Sequence, residues 1–245
     1  MDELKHPRRG LAINTADNVR DLGGYTTNDG KTTQWARFVR SGDMVRLSEE
    51  DQATLIAYGI TTVIDLRMEK EIVVEPNVFA NSTAVTFRNH DFWGTRFDDY
   101  RALRKDVSHT HKLADLYCSG LEKSGFIMAD IMATFAESDD VGFAFHCRSG
   151  KDRTGLVAAL LLSIAGVPRS TICSDFALSA EYLGHGKPSE EDRKKPGAYL
   201  SGCSTETMAL TLGFLDEKFG GVEGYLGKQG VSDADIARIR GKLLE

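Results

Sequence analysis

The chain has 245 residues, 41% hydrophobic and 27% charged, with a formal net charge of -6. That length and composition exclude a disordered chain and suffice for one domain with a sizeable core. The acidic balance excludes a global electrostatic grip on nucleic acid, which needs a basic face, but leaves room for a small basic pocket holding a compact anion. The N-terminal MDELKHPRRGLAIN has no apolar run after a basic start, so no secretory leader is expected. Asn18–Tyr25 reads as a turn packed on the core, with Arg20 and Asp21 as an ion pair. Ala36–Arg40 reads as a short strand. A helix follows, capped by Ser48 with Asp51 three residues on; Leu55 and Ile56 begin its apolar face and Gly59 ends it. Thr61–Leu66, β-branched and apolar, predicts a buried parallel strand, and Ala84–Phe87 a weaker one. Residues 91–119 are polar and aperiodic and read as a loop or lid with some helix, His109 and His111 being surface residues. Helical spacing returns over Gly120–Glu137. Val141–Phe145 is the next strand, and it runs through HCRSGKDRTG into an apolar helix over Thr154–Ala165. The longest apolar segment, Leu156–Val167, is too short to span a bilayer. Pro168 opens a helix to about Tyr182, residues 184–202 form a loop, and another helix covers Thr205–Phe219. Ser232 caps the last helix, with Ile236, Ile239 and Leu243 on one face. Strands alternating with helices predict an α/β fold, a largely parallel sheet flanked by helices, and no linker divides residues 1–245, so a single domain is expected.

The four cysteines, Cys118, Cys147, Cys173 and Cys203, are widely spaced and form no C-x-x-C pair. They give neither a disulfide framework nor a zinc pattern, which fits a reducing, cytoplasmic compartment; no metal and no cofactor is expected.

His146–Gly155 (HCRSGKDRTG) carries the chemistry. Gly150-Lys151 invites a nucleotide P-loop, but the Walker pattern needs a Gly where Phe145 stands and Ser or Thr where Asp152 stands. A cysteine at the end of a strand, followed by a tight loop into a helix, is a different device. Loop amides turned inward make an anion nest, and the helix N-terminus adds partial positive charge. Such surroundings favour a thiolate, the form in which cysteine is a nucleophile. Arg153, six positions after Cys147, offers a planar fork to two oxygens of a phosphate and stabilises charge on them during transfer. Thr154 is placed to hydrogen-bond the sulfur and help it leave a phosphocysteine. Lys151 is expected to face the substrate, where an extra cation suits multiply phosphorylated ligands, and His146 to order the loop.

The array of Cys147, five residues, Arg153 and Thr154 resembles the signature of the protein tyrosine phosphatase superfamily. The fuller HCRSGKDRTG, with Lys151 and Asp152 inside the loop, is similar to the bacterial branch of atypical tyrosine and dual-specificity phosphatases, members of which also act on phosphoinositides. NVRDLGGY at Asn18–Tyr25, RSGD at Arg40–Asp43, TVIDLR at Thr62–Arg67 and the GGVEGYLGKQGVSDADI stretch resemble it too, so the likeness covers most of the chain. The resemblance implies a phosphatase-like fold. It implies hydrolysis of phosphotyrosine, with phosphoserine, phosphothreonine and phosphoinositides as further substrates, through a phosphocysteine on Cys147. It makes Arg148, Ser149, Gly150 and Lys151 the phosphate-binding residues and Arg153, Asp152 and Thr154 the catalytic ones beside Cys147. The general acid stays open. Superfamily members use an aspartate on a separate mobile loop, and no Trp-Pro-Asp occurs here. Asp152, the loop aspartate implicated in the branch, stands first, with Asp91 (in DFW) and Asp65 as alternatives. The expected partner is a phosphorylated protein or phosphoinositide, with no nucleic acid and no integral membrane segment. Two rival functions share the loop: a phospho-ligand-binding module with little turnover, and a sulfur-transfer or arsenate-reducing enzyme. For the latter, no resolving cysteine is apparent in the sequence.

Overall fold

The computed structural model describes residues 2–94, 112–137, 142–184 and 202–244. Its strands are β1 (Arg20–Asp21), β2 (Phe38–Ser41), β3 (Thr62–Asp65), β4 (Thr86–Asn89) and β5 (Phe143–His146). They form one sheet in the order β1-β2-β5-β3-β4, parallel except for β1, which is antiparallel to β2. The fold is thus α/β, a mostly parallel sheet flanked by helices, as the alternation of elements predicts.

Strand alternation sorts the core. Phe38, Ile64, Phe143 and Phe145 point to one face, where the larger apolar cluster lies. Val39, Val63 and Ala144 point to the other, where Leu55 of α1 (Glu49–Ala57), Phe79 and Val85 cover them. Most helices serve the first face: α3 (Lys112–Lys123), α4 (Gly125–Glu137), α5 (Asp152–Ile164), α6 (Arg169–Tyr182), α7 (Thr205–Phe219), α8 (Val222–Lys228) and α9 (Asp233–Leu243). α5 is buried along almost its whole length, and a Cβ on its Gly155 would stand 2.9 Å from Phe176 of α6, so glycine sets how closely the two helices approach.

Several boundaries differ from expectation. The strand read as Ala36–Arg40 begins at Phe38, because Ala36 is left-handed (φ 61°) and cannot join a ladder. The helix read as Gly120–Glu137 is two helices broken at Ser124, and the first, α3, begins inside the stretch read as a loop. Ile56 does not continue the apolar face of α1: it is 39% exposed while Leu55 is 1% exposed. Arg20 and Asp21 are not an ion pair. As neighbours in β1 they leave on opposite faces. Arg20 meets Asp175 of α6, while Asp21 accepts from the Gly23 and Ala36 amides and the Tyr58 hydroxyl. Two short helices were not anticipated, α2 (Glu69–Val74) and α8. His109 and His111, most of the expected lid and most of the 184–202 loop lie outside the described residues. No helix among the described residues is long and apolar enough to cross a membrane.

Candidate active site

β5 delivers Cys147 to the end of the central strand, and α5 starts at Asp152, so residues 147–151 make the turn between them. The turn is fixed from outside. The Cys147 carbonyl lies 3.1 Å from His146 Nδ1. The Arg148 carbonyl accepts from the Asp43 amide (2.9 Å), that of Ser149 from Asn18 Nδ2 (3.0 Å) and that of Gly150 from Arg40 Nη2 (2.9 Å). A trans peptide sets each N–H opposite the preceding C=O. Four consecutive carbonyls held outward therefore aim the amides of residues 148–151 inward, which is the nest geometry. Gly150 is obligatory in this turn: its φ is +66° and a Cβ would stand 2.4 Å from the Ser41 carbonyl oxygen.

The Cys147 side chain is buried at the base of this turn. Arg153 stands on the first turn of α5, near enough to Cys147 for their charges to interact. Burial alone would lower the Arg153 pKa, but the Cys147 sulfur and the Glu71 carboxylate outweigh burial and hold it above the ordinary value. Glu71 Oε2 lies 2.7 Å from Arg153 Nη1, which also donates to the Leu66 carbonyl (3.3 Å). α2, the unanticipated helix carrying Glu71, is tied at both ends. The Glu69 amide donates to Asp91 Oδ2 (3.2 Å), and Arg67 Nη1 donates to the Glu75 carbonyl (3.0 Å).

The remaining expected residues fall into distinct places. Thr154 is buried in the first turn of α5, but the expected bond to the sulfur is not made: its hydroxyl has no hydrogen-bond partner among the described residues. Asp152 accepts from the Tyr117 hydroxyl of α3 (2.5 Å) and lies 3.4 Å from Lys151 Nζ. Lys151 is only 4% exposed and reaches the Gly202 carbonyl at 3.4 Å. Arg148 points to solvent and pairs with Glu75 Oε2 (2.6 Å). Glu75 also meets Arg46, and the three residues flank a cleft of about 260 Å³ that includes Asp17 and Asp43.

The two other candidate acids are committed elsewhere. Asp65 is buried against Arg67 (Nη2 to Oδ2, 2.7 Å) and receives Asn77 Nδ2 (3.2 Å); burial would raise its pKa, but His146 and Arg67 hold it below the usual carboxylate range. Asp91 accepts from the amides of Glu69 and Gly94. His146 is buried, its Nε2 2.7 Å from Asn77 Nδ2, and burial pushes its pKa down despite the nearby Asp65 carboxylate. As a neutral ring it donates from Nδ1 to the Cys147 carbonyl and accepts from Asn77 at Nε2, which is the ordering role expected of it.

A strand ending in a cysteine, an inward-facing amide loop and an arginine on the first turn of the next helix set the context for the comparisons with known proteins. The family model described as "Tyrosine phosphatase family" matches residues 11–245. The chain belongs to the tyrosine phosphatase family. It is 31% identical over 223 residues to a tyrosine-protein phosphatase of Nostoc commune, covering 84% of this chain and 74% of that one. It is 27% identical over 280 residues to the triple specificity protein phosphatase PtpB of Mycobacterium tuberculosis, covering 92% and 99%. Among solved structures, TpbA of P. aeruginosa aligns over 86% of this chain and 98% of its own, at 16% identity and a TM-score of 0.36. In this member of the tyrosine phosphatase family, two site residues escaped the reading of the sequence. Glu71 had a local signal: it stands three residues after Met68 and accepts that residue's amide (2.8 Å), the acidic half of a capping box. Tyr117 had none, since its partner Asp152 is 35 positions away.

Proposed function

We propose that this tyrosine phosphatase family member hydrolyses phosphate monoesters through a phosphocysteine on Cys147. The observation that carries the reading is the set of four loop carbonyls bound to outside donors, with Cys147 at the base and Arg153 paired with Glu71 on the first turn of α5. The Cys147 thiolate attacks phosphorus and the phosphorus–ester oxygen bond breaks. The amides of residues 148–151 and the Arg153 guanidinium stabilise the charge on the transferring oxygens. The leaving oxygen takes a proton from Asp152. Asp152 then accepts a proton from the water that attacks the phosphocysteine, giving phosphate and the restored thiolate. Asp152 is favoured over Asp65, which is buried and paired with Arg67, and over Asp91, which is engaged with backbone amides. Thr154, whose buried hydroxyl makes no other bond among the described residues, would turn to the sulfur as it leaves.

Phosphotyrosine is the proposed substrate, with phosphoserine, phosphothreonine and phosphoinositides as further ones. Arg46 and Arg148, which converge on the single carboxylate of Glu75, support a second phosphate beside the loop. We further propose that residues 1–245 act as one catalytic domain, in the cytoplasm. The test is a panel of phosphopeptides and phosphoinositides, with Cys147→Ser as control and rapid acid quenching of radiolabelled substrate. Turnover should vanish in Cys147→Ser, and Asp152→Asn should lose rate selectively on poor leaving groups. Full turnover by Cys147→Ser, or labelled phosphate never found on Cys147, would overturn the mechanism. Tight binding without turnover would make the chain a phospho-ligand-binding module instead.

A further inference from the structure

Asp175 of α6 lies buried between two buried arginines from neighbouring strands. Its Oδ1 is 3.1 Å from Arg20 Nε and receives the Tyr25 hydroxyl at 2.9 Å; its Oδ2 is 2.6 Å from Arg40 Nη1. Arg40 reaches the catalytic loop directly and Arg20 reaches it through Asn18. Arg40 Nη2 donates to the Gly150 carbonyl at 2.9 Å. Arg20 Nη1 donates to Asn18 Oδ1, and Asn18 Nδ2 donates to the Ser149 carbonyl at 3.0 Å. One carboxylate thus orients both clamps that turn two loop carbonyls away from the nest. The triad holds two cations and one anion, so a net positive charge sits beneath the loop. Burial, then the charge of Arg20, lowers Arg40 to about 10, and Asp175, despite burial, is held far below the carboxylate range by Arg20 and Arg40. Arg40 and Asp175 are therefore charged at neutral pH.

We propose that Asp175 is a positioning residue for the phosphate loop: through Arg40 and through Arg20 with Asn18 it fixes the Gly150 and Ser149 carbonyls outward, so that the amides face the phosphate. The proposal rests on the phosphatase reading above. A purely structural triad would stabilise the fold without governing anion affinity, and the two roles separate by experiment.

The readouts are inhibition by tungstate, an inorganic oxyanion, and kcat and KM on an aryl phosphate, each taken well below the variant's melting temperature. Arg40→Lys keeps a charge for Asp175 but has no fork to span both partners. It should weaken tungstate about tenfold or more and lower kcat/KM to match. Asn18→Gly, which keeps the left-handed backbone (φ 58°) and removes the Ser149 clamp together with the acceptor of Arg20 Nη1, should weaken tungstate several-fold with kcat falling less than KM rises. Arg9→Lys is the structural control: Arg9 is equally buried and donates to the Glu3 and Asp21 carbonyls but not to the loop. It should lower the melting temperature and leave tungstate inhibition unchanged. Folded Arg40→Lys and Asn18→Gly that bind tungstate like the wild type would overturn the proposal. So would losses in them that merely track melting temperature, as in Arg9→Lys. If Arg40→Lys does not fold, Asn18→Gly decides alone. A wild type that binds tungstate but turns nothing over sinks the enzymatic reading and leaves the clamp to be judged on affinity. A wild type that does neither overturns both.

Discussion

Arg153 is flexible by nature, and where its fork sits depends on what holds it. That group is Glu71, at 2.7 Å, on a helix of six residues tied down by Asp91 and Arg67. A bidentate arginine loses its value when its fork can rotate, because the phosphate oxygens then meet a moving donor. Glu71→Gln keeps the shape and removes the charge. It should lower kcat/KM about tenfold, with most of the loss in kcat, since charge on the transferring oxygens peaks in the transition state. Steady-state kinetics on an aryl phosphate checks this, and an unchanged kcat would remove Glu71 from the positioning role. The same pair leaves a mark on stability. Burial would raise the Glu71 pKa, yet Arg153 holds it below the ordinary glutamate value. A carboxyl depressed in the folded state contributes stability above its unfolded pKa of about 4.3, lost as pH falls through the lower folded value. Urea midpoints of Glu71→Gln should therefore fall less steeply than those of the wild type below about pH 4.3.

At the scale of elements, what could be read from the sequence was what is written locally. Ser48, Ser204 and Ser232 each cap a helix, and the Ser48 and Ser232 caps were legible because capping is a contact between residues three apart. The loop from Cys147 to Arg153 was legible for the same reason. α2 was missed because six residues hold under two turns, too few for a periodicity, and Val73 and Val74 at its end face solvent. The start of α3 was misplaced because a polar stretch runs into it. Two predictions belong here. Ser232→Ala removes the acceptor of the Asp235 amide (3.1 Å) and should cost about 1 kcal/mol in urea unfolding without altering kcat, because α9 lies away from the loop. Tyr117→Phe cuts the bond by which α3 orients Asp152. If Asp152 is the acid, this variant should lose rate several-fold on a poor leaving group such as a phenyl phosphate and almost none on a nitrophenyl phosphate, which needs little protonation. Equal losses on the two would detach Tyr117 from proton transfer.

Over the whole molecule the sequence is silent where partners are far apart. Arg20 and Asp175 are 155 positions apart, and the sequence offered Asp21 as the nearer partner. The pairing of β1 with β2 sets Arg20 opposite Arg40, and both then meet Asp175 of α6. The consequence is a fold built over buried polar groups: Arg20, Arg40 and Asp175 on one side of the loop, Asp65, Arg67 and the neutral His146 on the other. Such groups tie stability to pH. Burial depresses the pKa of His146, and that of His90 as well. A histidine depressed in the folded state contributes stability above its unfolded pKa of about 6.5, and loses it as pH falls, because the unfolded chain takes up the proton first. Asp65 and Asp175, both held low, act in the same direction only below about pH 3.9, while Asp21, raised chiefly by burial, acts in the opposite one. Between about pH 6.5 and 5 the histidines lower stability as pH falls, at up to about 1.4 kcal/mol per pH unit for each proton excluded, and Asp21 opposes them. The urea midpoint should fall across that window. In His146→Asn, whose amide can still donate to the Cys147 carbonyl, it should start lower and fall less, His90 accounting for the remaining slope. Parallel slopes in the two proteins would mean that His146 is protonated as readily in the fold as out of it, and that the neutral ring assigned to the back of the catalytic loop is wrong.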